Sequence, residues 1–94
     1  MGQQQAVDSA QSYLDMSGFS RKSLIEQLTY EGFSNVDAEF AVNYINPDWN
    51  AQAAQSAKSY LEMGGFSRKS LIQQLTYEGF TQAQAEYGAS AAGY

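Results

Sequence analysis

The sequence predicts an all-α fold: two tandem compact three-helix repeats of helix-turn-helix type, joined by a short Pro-containing corner. Two observations carry this. The stretch YLDMSGFSRKSLIEQLTYEGF (13–33) returns as YLEMGGFSRKSLIQQLTYEGF (60–80) at a constant spacing of 47 (60 minus 13), differing only at 15/62, 17/64 and 26/73. Strand formers are scarce, at three Val, three Ile and three Thr, whereas Ala, Gln, Leu and Glu are common.

Residues 1–5 are expected to precede the first repeat as an artificial start or linker, with repeat 1 at 6–46 and repeat 2 at 47–94. The first helix is expected over about Gln5 to Met16, with Val7, Ala10, Tyr13 and Leu14 at helical spacing. Its counterpart runs from about Pro47 to Met63, with Trp49, Ala53, Ala57, Tyr60 and Leu61 on one face. Gly18 and the pair Gly64-Gly65 fall where a left-handed C-cap is expected.

The second helix of each repeat starts at Ser20 or Ser67, both natural N-caps. Leu24, Ile25 and Leu28, matched by Leu71, Ile72 and Leu75, form its apolar stripe. Gly32 and Gly79 end it. Phe19 and Phe33, with Phe66 and Phe80, flank it and pin its entry and exit.

The third helix opens at Ser34 or Thr81, each with an acidic or amide side chain three residues on, the pattern of a capping box. Val36, Phe40 and Tyr44 recur at four-residue spacing, and Ala38, Ala41 and Ile45 widen that stripe. Asn46-Pro47-Asp48-Trp49 then turns the chain directly into repeat 2, a corner expected to fix the geometry between repeats together with Trp49. In repeat 2, Gly88, Ala89, Ala91 and Ala92 replace Ala41, Val42, Tyr44 and Ile45, so the last helix is expected to fray or to leave an exposed groove.

Function classes narrow quickly. With no His and no Cys, Ser-His and Cys-His pairs are impossible, and no phosphate loop, EF-hand or dense ligand cluster occurs. Neither an enzyme nor a cofactor or metal is expected. Net charge is −5, and the would-be recognition helices SNVDAEFAVNYI and TQAQAEYGASAA carry acids and no base, so no nucleic acid is expected as partner. No apolar run approaches the roughly 20 residues of a membrane span.

The acids Glu31, Asp37, Glu39, Glu62, Glu78 and Glu86 are the candidates for binding a basic or amphipathic partner segment. Arg21-Lys22 and Arg68-Lys69 are the only clustered bases, set in a first helical turn where the helix dipole disfavours cations. They support an alternative reading, a cell-wall or envelope-binding module. Tyr30 and Tyr77 lie off the apolar stripe and are candidate contact residues. Between 34–44 and 81–91 only Ala38/Ala85 and Glu39/Glu86 are kept, so the repeated block is held more tightly than the third helix. Leu, Ile and Phe there are explained by burial; Arg21, Lys22, Gln27, Thr29 and Glu31 are not.

The string YL-x-M-x-GFSRKSLIxQLTYEGF, followed by DAEFAVNYI and the junction PDWN-x-QA, resembles the Ltp-type host-cell-surface lipoprotein repeat over about residues 6–87. That family is associated with phage superinfection exclusion in Gram-positive bacteria. The resemblance implies tandem compact helical repeats, displayed outside the membrane on a lipidated N-terminal Cys. It also implies that members interfere with DNA entry from an adsorbed phage, by engaging an injected tape-measure-type protein or a membrane channel component. This chain carries no Cys, so the outer face of the membrane is the location expected of a lipid-anchored parent, of which this chain is a soluble fragment, and a monomer is the expected state.

Overall fold

The computed structural model describes residues 2–94 and contains six helices: α1 (Gln3–Met16), α2 (Arg21–Tyr30), α3 (Asn35–Ile45), α4 (Trp49–Met63), α5 (Arg68–Tyr77) and α6 (Gln82–Ala91). They form two three-helix halves, as the repeat predicts. α1 begins at Gln3, so residues 3–5, expected ahead of the first repeat, lie inside its first helix.

Local chemistry sets the boundaries. Ser20 and Ser67 cap α2 and α5, and each forms a reciprocal box with the serine three residues on, Ser23 or Ser70. Thr81 and Gln84 complete such a box at α6, whereas Ser34 caps α3 from one side only. Gly32 (φ 112°) and Gly79 (φ 109°) end α2 and α5 in a backbone region that side chains disfavour. Asn46 (φ 48°) closes α3 in the left-handed region, and Asp48 caps α4 through the Ala51 N–H.

Each half has its own core. Ala6, Ala10, Leu14, Leu24, Leu28, Ala38, Ala41 and Val42 are buried in the first; Ala53, Ala57, Leu71, Leu75, Phe80, Ala85 and Ala89 in the second. In both, an alanine edge of the first helix meets small residues of the third, and two leucines of the middle helix fill the space beneath. Tyr13 packs edge-on to Phe19 at 5.7 Å, and Tyr60 to Phe66 at 5.2 Å.

Two expectations about the third helices are corrected. α6 does not open a groove. Its Ala85, Gly88 and Ala89 are buried, and a Cβ on Gly88 would lie 2.7 Å from the Ala53 carbonyl oxygen. The small residues let α6 approach α4 closely, so their loss of volume is taken up by helix approach, not left as a void. In α3 the core face is Ala38, Ala41 and Val42, while Val36 is 73% and Tyr44 71% exposed. The two ends of the four-residue stripe therefore face solvent, with Phe40 between them 38% exposed.

The molecule is a short rod, 43 Å by 20 Å by 20 Å.

Candidate functional surfaces

Many retained polar residues brace their own repeat. Arg21 Nη2 donates to Asn43 Oδ1 at 3.0 Å, and Arg68 Nη1 donates to Ser90 Oγ at 3.1 Å, tying the start of each middle helix to the end of the third. Arg68 also donates to the backbone carbonyl of Tyr94. Gln27 donates to the Tyr13 hydroxyl at 3.2 Å, and Gln74 to that of Tyr60 at 3.4 Å. Thr29 and Thr76 each bond the carbonyl three residues back. Tyr13 in turn donates to the Glu31 carboxylate, and this bond raises the tyrosine's pKa above its ordinary 10.0. These bonds account for Arg21, Gln27, Thr29 and Glu31, which burial leaves unexplained, but not for Lys22.

The junction between repeats uses a different set, which the sequence reading missed. Gly18 was expected to be a left-handed cap; instead its role is close approach. A Cβ there would lie 2.5 Å from the Gln52 carbonyl oxygen and 2.8 Å from the Ser56 nitrogen. Three hydrogen bonds cross here. The Phe19 N–H donates to Gln52 Oε1 at 2.9 Å, Ser56 Oγ to the Gly18 carbonyl at 3.1 Å, and Ser20 Oγ to the Glu78 carbonyl at 2.7 Å. Ser20 is consequently 1% exposed, while its counterpart Ser67 lies open to solvent. A Cβ on Gly79 would be 2.9 Å from Lys22 Cβ. Trp49 packs on the first core beside Arg21 and Ile25. The signal for these contacts was present, as Gly18, Ser20 and Gly79 inside the repeated block and Ser56 just ahead of its second copy, but only the docked pair of repeats gives it meaning.

Above the junction lies an open groove of about 750 Å³, bordered by Phe19, Lys22, Tyr60, Met63, Tyr77 and Glu78. It brings together three residues singled out from the sequence: Lys22, Tyr77 and Glu78. Glu78 is partly buried there, and desolvation raises its carboxyl pKa. Tyr30 and Tyr77 are 87% and 85% exposed. The other candidates are spread out. Glu39, Glu62 and Glu86 are exposed, Glu31 is engaged by Tyr13, and Asp37 is half-buried in the first turn of α3. Lys69 is exposed at the start of α5.

The second feature that stands out is the outer face of α3. Phe40 stacks on Tyr44, with ring centroids 5.8 Å apart, and Val36 continues the line. At the counterpart positions in α6 stand Ala83, Tyr87 and Ala91, so only repeat 1 carries a continuous apolar stripe.

The family model for host cell surface-exposed lipoproteins of the Ltp type matches residues 2–45 and again 48–91, one match for each three-helix half. The chain belongs to the Ltp family. No curated protein and no solved structure matches it. The Ltp family consists of host cell surface-exposed lipoproteins and is not a known family of enzymes. Among the described residues of this Ltp chain, no helix is long and apolar enough to cross a membrane.

Proposed function

We propose that this Ltp chain is a non-enzymatic interaction module that blocks phage DNA injection, acting at the outer face of a Gram-positive cell membrane on a lipid-anchored parent. Its partner in this reading is a component of the injection machinery, of tape-measure type, or a membrane channel component. The observation that supports it best is the solvent-facing stripe Val36–Phe40–Tyr44 with Glu39 on the same helix, on a chain of net charge −5. A basic amphipathic helix would lay its apolar face on the stripe and its cations beside the acids. Exposed apolar side chains lined up on one helix mark an interaction surface more specifically than scattered ones do.

The basic doublets support the cell-wall alternative less well, because Arg21 and Arg68 are both engaged within their own repeats. A titration of purified tape-measure protein with this chain at rising salt tests the proposal. Saturable binding that weakens with salt is expected. Failure to bind at low salt, with both proteins folded, would reject the tape-measure partner.

A further inference from the structure

The junction between the repeats is heterologous. One face of repeat 1, carrying Gly18, Phe19, Ser20 and Lys22, docks on a different face of repeat 2, carrying Gln52, Ser56, Glu78 and Gly79. Call these the head and the tail. A heterologous contact leaves one copy of each face unused. The unused head belongs to repeat 2: Gly65, Phe66, Ser67 and Lys69. The unused tail belongs to repeat 1: Gln5, Ser9, Glu31 and Gly32. Every one of these eight residues is identical to its counterpart in the used interface.

The two unused faces are also open. A Cβ on Gly65 or on Gly32 would meet nothing within 4 Å, in contrast to Gly18 and Gly79. Ser67, Glu31 and Gln5 are exposed, whereas Ser20 is buried and Glu78 and Gln52 are half-buried. The unused tail forms a shallow groove bordered by Ser9, Ser12, Tyr13, Met16 and Glu31. Ser56, Ser59, Tyr60, Met63 and Glu78, their counterparts, form one wall of the groove between the repeats. The unused head opens a groove of about 550 Å³ along Arg68, Lys69 and Ile72; at the used head the corresponding groove along Arg21, Lys22 and Ile25, of about 410 Å³, is bordered on its other side by Trp49 and Gly79 of repeat 2.

We infer that the head of repeat 2 docks on the tail of repeat 1 of a second copy of this chain, repeating between molecules the contact already made within one. Charge agrees with this: the head presents Lys69 and the tail Glu31. The Phe66 N–H and the Gly65 carbonyl take the roles of Phe19 and Gly18. Tyr94 reaches this region through its hydroxyl, which donates to the Phe66 carbonyl, and through its own carbonyl, which accepts from Arg68; the counterparts in repeat 1, the Phe19 carbonyl and Arg21, are not used in the junction hydrogen bonds. The intermolecular contact is weaker than the internal one for two reasons. Gly2 stands where repeat 2 has Trp49, and no short linker raises the effective concentration. Association therefore belongs to high concentration, as at a crowded surface.

Sedimentation equilibrium of the chain from about 0.05 to about 2 mM, the range where weak contacts populate, tests this. The apparent mass is expected to rise with concentration. Ser9→Arg, which puts a long side chain where the Gly65 backbone must approach, is expected to weaken association about tenfold or more. In the same concentration series, NMR signals of Phe66, Ser67, Gln5 and Ser9 should move together. A mass that stays monomeric throughout overturns the inference. So does association that is indifferent to Ser9→Arg, or shifts confined to other faces.

Discussion

Gly18 and Gln52 meet so closely that a Cβ on the glycine would lie 2.5 Å from the Gln52 carbonyl oxygen. The obstructing atom is backbone, so a side chain at position 18 cannot be accommodated by a rotamer change. Two small helical units are held as one rod at this point.

Gly18→Ala is therefore expected to loosen the junction at a cost of about 1–3 kcal/mol, the range for overpacking a tight contact. Small-angle scattering should give a radius of gyration above that of the docked rod, while circular dichroism keeps its helical signal. An unchanged radius and melting curve would show that the repeats do not depend on this contact.

The serines give a paired test. Ser56→Ala removes the donor to the Gly18 carbonyl and is expected to cost about 1 kcal/mol, the usual net value of such a bond. Ser9→Ala, at the counterpart position, should cost only tenths of that in dilute solution, because the Gly65 backbone is not docked there. Chemical denaturation of both variants reads the difference; equal losses would contradict it.

Gly88→Ala tests the close approach of α6 to α4. Alanine favours helix over glycine by about 1 kcal/mol, which alone would stabilise the protein. The added Cβ meets the Ala53 backbone, so net destabilisation of repeat 2 is expected. A raised melting temperature would mean that α6 is less tightly seated.

The Glu78 pKa is raised by desolvation, so the folded state binds its proton more tightly than the unfolded chain does. Its contribution to stability is full below the unfolded carboxyl pKa and is lost as pH rises through the higher folded value. Glu78→Gln is expected to flatten that acidic limb and to raise stability at neutral pH. At the alkaline end Tyr13 behaves likewise: the stability tied to its protonated hydroxyl is lost as pH rises through its raised pKa. Tyr13→Phe should remove that loss from the alkaline limb. Denaturant midpoints across pH for both variants check the signs.

Much of the fold was legible because it is written in local chemistry. Ser20 and Ser67 announce N-caps, Gly32 and Gly79 announce ends, and Leu24 and Leu28 give the buried face. The third helices misled because periodicity does not say which side is inside. Val36, Phe40 and Tyr44 have helical spacing and hydrophobic character, yet Ala38, Ala41 and Val42 take the core because small residues let α3 lie against α1. Large side chains read as content for a core, whereas here they decorate the outside. For the same reason Gly88 looked like missing packing. The junction was harder still: Gly18, Ser20 and Gln52 are far apart in sequence and acquire a role only when one repeat docks on the next.

The proposed surface can be separated from the fold. Val36→Ser with Tyr44→Ser removes side chains that are 73% and 71% exposed and is expected to leave the melting temperature nearly unchanged while weakening partner binding.

Phage DNA entry into cells displaying this chain on a lipid anchor, measured alongside phage adsorption, tests the central claim most directly. Normal adsorption with DNA left outside the cell is the expected result. Normal DNA entry, with the chain present and folded at the surface, would contradict it.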